Sequence, residues 1–126
     1  MAKAKNSDLL PTLENVNKFD MLYPMLVSDL NEIRELSRKK QDEPLNKFKV
    51  KTVNKKLEQI KKILSNEPTS DYLELLDEDT FPSNSDAVLM ISQFIKAMDQ
   101  YKKKYYTNDG SEFGIYGDRN TWKTKN

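Results

Sequence analysis

Ser85-Asp86-Ala87-Val88-Leu89-Met90-Ile91-Ser92-Gln93-Phe94-Ile95-Lys96-Ala97-Met98-Asp99-Gln100-Tyr101-Lys102-Lys103-Lys104-Tyr105-Tyr106 is the stretch on which the fold turns. At roughly 100° per residue, Ala87, Met90, Ile91, Phe94, Ala97, Met98, Tyr101 and Tyr105 share one side, and Val88 and Ile95 widen it. An apolar arc this broad implies burial on more than one side, which makes this the central helix. Ser83-Asn84-Ser85-Asp86 leads into it as a loose capping box, a serine followed three residues later by an acid.

Two further amphipathic helices precede it. The spacing predicts one from about Tyr23 to Lys40, with Asp20 as its cap and Pro24 in the first turn. Leu22, Met25, Leu26, Leu30, Ile33 and Leu36 line its apolar face. Asp29 projects into that face and requires a partner there, since an unpaired buried carboxylate is costly. Lys102 or a tyrosine hydroxyl is the expected partner. The next helix runs from about Asn46 to Ser65, after the break Asp42-Glu43-Pro44. Asn46, Val50, Val53, Leu57, Ile60 and Leu64 form its seam. Lys47, Lys51, Lys55 and Lys62 make a stripe beside the seam, with Lys49 and Lys56 on the far side. Phe48 and Ile63 lie off the main arc. A short helix over Asp71–Leu76 and an acidic loop, Asp77 to Pro82, complete the pattern.

The result is an all-α fold, a small antiparallel bundle of three long helices and one short one, ending in an irregular or short-extended tail. The chain divides into a loose segment 1–18, a helical domain 19–106 and a tail 107–126. All three glycines fall between Gly110 and Gly117, and the only tryptophan is Trp122. Asn108-Asp109-Gly110 is a stop-and-turn signal, and Glu112 to Tyr116 reads as a short extended piece.

Composition narrows the chemistry. With 126 residues, one domain is expected. A mean hydropathy of −0.83 and the lack of a long apolar run argue against a membrane span. Met1 to Ser7 has no apolar core of a secretory signal, so a cytoplasmic location is expected. Cysteine and histidine are both absent. Disulfides, zinc sites built on Cys or His, and Ser–His or Cys–His nucleophiles are therefore excluded. No cofactor or metal motif is present: placing Gly110 sixth in a calcium loop puts tyrosines where acids belong. Ser37-Arg38-Lys39-Lys40 has the spacing of a Ser–Lys pair but lacks its companion motifs. Lysine outnumbers arginine 18 to 3 and there are 11 asparagines, a composition expected of AT-rich bacterial coding.

The net charge of +1 conceals two opposed blocks. Lys39 to Lys62 holds nine lysines against three acids, while Glu67 to Asp86 holds seven acids and no Lys or Arg. Lys47, Lys51, Lys55 and Lys62 suit an acidic partner or a phosphate backbone. The plainer reading is a solvated face whose lysine stems cover apolar edges. Asp77, Glu78 and Asp79 offer a negative patch to a basic partner, or they neutralise the neighbouring lysines within the fold. Phe113, Tyr116 and Trp122 are candidate aromatic anchors.

The functional expectation is a non-enzymatic binding or regulatory protein of inhibitor, immunity or accessory-subunit type. Asp29, the lysine stripe, the acidic loop and the tail aromatics are its candidate contacts. Another protein is the expected partner, with self-association open. Nucleic-acid binding through the lysine-rich helix is the alternative, and no membrane is involved.

Overall fold

The computed structural model describes residues 10–108 and 120–125. Three α-helices dominate: α1 (Leu13–Lys39), α2 (Lys47–Ile63) and α3 (Asn84–Tyr105). A 3₁₀ turn (Pro68–Tyr72) stands between α2 and α3. Two three-residue strands, β1 (Tyr106–Asn108) and β2 (Asn120–Trp122), pair antiparallel with Tyr106 opposite Trp122. The segments at 1–9 and 109–119, with Phe113, Tyr116 and the expected turn at Asp109-Gly110, lie outside the described residues.

The helices run antiparallel. Tyr23 and Phe19 of α1 meet Asp99 and Tyr101 of α3, and the far ends meet where Asn84 Nδ2 donates to the Lys40 carbonyl (2.9 Å). Asp29 and Glu32 of α1 meet Lys56 and Lys49 of α2. Phe19, Leu26, Ile33, Leu57, Ile60, Ile91, Phe94 and Met98 form the centre of the core and are almost wholly buried. Burial of each such side chain is worth about 1.5–3 kcal/mol, so the seams read from the spacing carry most of the stability.

Helix α1 begins at Leu13, not Tyr23. Thr12 caps it, its Oγ1 accepting from the Asn15 N–H at 3.1 Å. Pro24 therefore sits inside the helix and faces solvent. An interior proline removes one backbone bond and crowds the preceding turn, costing about 3 kcal/mol or more. Val16, Phe19 and Leu22, all buried ahead of Pro24, together outweigh that cost. Residues Leu13–Lys18 thus belong to the bundle, and the loose segment expected through residue 18 does not extend into them. Asp20 is no cap; it accepts a hydrogen bond from Trp122 Nε1 (3.2 Å).

Caps define the other helices. Asn46 lies outside the α2 seam as its N-cap, with Oδ1 accepting from the Lys49 N–H at 2.8 Å. Ser83 Oγ accepts from the Asp86 N–H at 3.1 Å, as the capping pattern implies. The short helix expected over Asp71–Leu76 is displaced. The 3₁₀ turn starts ahead of it and takes in only Asp71 and Tyr72 of that span, and the chain becomes extended at Leu73 (φ −97°, ψ 117°), with Leu73 and Leu76 buried.

Candidate functional site

The lysine row on α2 is fully displayed. Lys47, Lys51, Lys55 and Lys62 are all exposed, and none forms an ion pair among the described residues. They share one helical face because their spacing returns nearly to the same direction. Glu58 lies on the same face, between Lys55 and Lys62 in sequence, and is also exposed. Phe48 borders the row and is 77 % exposed.

The acidic block runs back along α2 as a strip, a 3₁₀ turn over Pro68–Tyr72 followed by extended chain from Leu73. The Glu67 N–H bonds the Leu64 carbonyl at the C-terminal end of α2 (2.9 Å), and the Leu45 N–H bonds the Pro82 carbonyl at its N-terminal end (2.8 Å). Between these ends, Asn54 clamps the strip. Its Oδ1 accepts from the Leu76 N–H (2.9 Å), and its Nδ2 donates to the Leu76 carbonyl (2.8 Å) and to Glu78 Oε2 (3.1 Å). Asn54 is only 2 % exposed, so each of those polar groups would carry a desolvation cost without its partner. The clamping role of Asn54 has little trace in the sequence. The available signal was an amide next to the seam, three residues from Leu57 and four from Val50.

Asp71, Glu74, Asp77, Glu78 and Asp79 all face solvent. Asp77 folds the tip: its Oδ1 accepts from the N–H groups of Asp79 (2.8 Å) and Thr80 (3.0 Å). The Thr80 bond foremost, then that from Asp79, holds the Asp77 carboxyl below the usual range. The strip and the lysine row therefore lie side by side, yet no ion pair joins them among the described residues. Proximity of the blocks does not become pairwise neutralisation. No group of three or more acids among the described residues is arranged to hold a metal ion.

Asp29 finds its partner on α2, not on α3 or a tyrosine. Its Oδ2 lies 2.8 Å from Lys56 Nζ as an ion pair, though without the angles of a hydrogen bond. The side chains are 22 % and 12 % exposed, so the pair is largely removed from water. Glu32 and Lys49 pair alongside at 3.0 Å. Lys49 and Lys56, expected on the far side of α2, thus face α1, because α2 lies across the face carrying Asp29 and Glu32. Two shallow clefts flank the Asp29–Lys56 pair, one edged by Phe48 and Thr52, the other by Pro24 and Met25.

Trp122 is inward-facing rather than an exposed anchor. Its ring lies edge-on to Phe19 (centroids 5.1 Å) and to Tyr106 (5.5 Å), and tilted against Tyr101 (6.1 Å). Pairing of β1 with β2 delivers it there. Burial pushes the Tyr101 and Tyr105 hydroxyls up, keeping both neutral inside this cluster. Tyr23 donates to Asp99 Oδ1 at 2.6 Å, and that bond, ahead of burial, raises its pKa to about 12. The aromatic end is packing, not a vacant site.

No protein-family model matches the chain, and no curated protein or solved structure is significantly similar to it. No helix among the described residues is long and apolar enough to cross a membrane.

Proposed function

We propose that this chain is a small non-enzymatic binding protein, of regulatory, inhibitor, immunity or accessory-subunit type, that engages another protein through the charged faces of α2 and its neighbouring strip. One observation carries the reading: two exposed strips of opposite charge lie side by side, with no ion pair between them among the described residues. Unpaired charge on an ordered surface attracts a complementary partner and steers its approach. Phe48 at the edge of the lysine row supplies an apolar anchor of the kind interfaces favour. The best-fitting partner segment is therefore acidic with one or two large apolar residues. The absence of cysteine and histidine removes the thiol nucleophile and the usual near-neutral acid–base group, which supports a non-catalytic reading.

Nucleic acid would use the same lysines, but Glu58 within the row and the lack of arginine there weigh against it. Fluorescence anisotropy with an acidic Leu/Phe-containing peptide and with labelled oligo-dT compares the two. The peptide is expected to bind, and Lys→Gln at 47, 51, 55 and 62 together is expected to abolish binding with the helical circular dichroism kept. Tight, salt-sensitive binding of oligo-dT with none of the peptide would overturn the protein-binding reading.

A further inference from the structure

The two strips have an arrangement that a second copy of the chain can answer. The acidic strip runs antiparallel to α2, tied at both ends and clamped at Asn54. Asn54 lies on the edge of α2 next to Lys47 and Lys51, seven and three residues away on the helix. The surface thus carries a positive line and a negative line, side by side, with Asn54 between them. Consider a two-fold axis lying in that surface along the boundary. It turns each line over onto the line of opposite sign and keeps positions along α2 level. The lysine row of one copy then faces the acidic strip of the other, twice over, with Glu58 a like-charged exception in each row, which is the self-complementarity of an isologous dimer.

We infer that the protein forms a two-fold dimer in which the α2 lysine row of each copy lies against the acidic strip of the other. This rests on the reading of both strips as binding surfaces and names their occupant. Three further observations agree with it. Among the described residues neither strip is ion-paired to the other within one chain, so their charges do not satisfy each other there. The net charge of +1 leaves little overall repulsion between copies. The strip is fixed in place by Asn54 and by the Asp77 turn, so little order has to be gained on association. Individual exposed ion pairs are weak and screened, so the dimer is concentration- and salt-dependent.

A charge exchange between copies tests the geometry. One variant carries Lys47→Glu, Lys51→Glu, Lys55→Glu and Lys62→Glu. The other carries Asp71→Lys, Glu74→Lys and Asp79→Lys, sparing Asp77 and Glu78, which shape the strip. Circular dichroism confirms that each folds. Light scattering at low ionic strength should show the wild type rising from 14.7 kDa towards twice that mass with concentration. The dimer dissociation constant should rise on the order of tenfold or more in salt that shortens the screening length below the ion-pair spacing of the strips. Each variant alone should remain monomeric, and an equimolar mixture should form a heterodimer. Should a variant fail to fold, the wild-type mass and its salt dependence still decide. A wild type at monomer mass throughout, open-ended oligomers, or folded variants that stay apart when mixed would overturn the dimer. If the wild type is monomeric but still binds the acidic peptide, the dimer falls and the binding reading stands. If it dimerises and no peptide competes, the opposite holds.

Discussion

The aromatic end of the bundle and the outer face of α2 solve opposite problems. At the aromatic end, Phe19, Tyr23, Tyr101, Tyr105 and Trp122 stack or meet edge-on, and the polar tips of Trp122, Tyr105 and Tyr23 find Asp20, Glu67 and Asp99. On the outer face of α2, lysines and acids lie side by side with no ion pair between the strips among the described residues. A closed set of contacts marks a region serving the fold. An ordered surface left electrostatically open is where binding is to be sought. Aromatic residues alone did not make that distinction; the location of their partners did.

The comparison is most severely tested at Phe19, which is 1 % exposed and touches three rings. Phe19→Ala is expected to cost about 4 kcal/mol in urea denaturation while leaving peptide affinity intact in the folded fraction. A binding defect without a stability defect would make the aromatic end a site. Asn54→Ala should cost about 3 kcal/mol, because the Leu76 N–H and C=O lose their partner while buried. It should also weaken self-association, since the strip loses its clamp to α2. Unchanged stability would show that water replaces the amide.

Asp29→Asn leaves Lys56 mostly buried without its counter-charge, an expected loss of about 2 kcal/mol, between the values for exposed and buried pairs. If the melting temperature is retained and partner binding lost, Asp29 belongs to the open face. The smallest effect is expected at Tyr23→Phe, under about 1 kcal/mol at neutral pH. The folded pKa of Tyr23, about 12, lies above the unfolded value of 10.0. The stabilisation is therefore complete below pH 10.0 and fades as pH rises through about 12, because the unfolded chain releases the proton first. Stability curves of wild type and variant should converge over that interval; parallel curves would mean that the Tyr23–Asp99 bond contributes nothing.

The three helices were legible because their buried residues repeat at helical spacing, as Val50, Val53, Leu57 and Ile60 do in α2. Pro24 obscures where α1 starts: a proline suits a helix start, and only the packing of Val16 and Phe19 reveals that the helix passes through it. Trp122 looked like an anchor because nothing local announces that residues 120–122 pair with 106–108. The need for a partner at Asp29 was legible, whereas Lys56 as that partner depends on how two helices lie together. The lysine row was visible in the sequence, but the lack of ion pairing with the acids next to it is a property of the folded surface.

The Asn54 clamp has a kinetic consequence. The Leu76 amide is held by a side chain rather than by a helix or sheet ladder, so the middle of the strip can open without unwinding α1, α2 or α3. Such opening also lifts Leu73 and Leu76 out of the core, yet it costs less than global unfolding. In native-state hydrogen exchange, the Leu76 amide should exchange faster than the amides of the α3 interior. Its rate then becomes a clock for separation of the acidic strip from the helix beside it. A ligand that bridges both strips would slow that clock while leaving the helical amides unchanged.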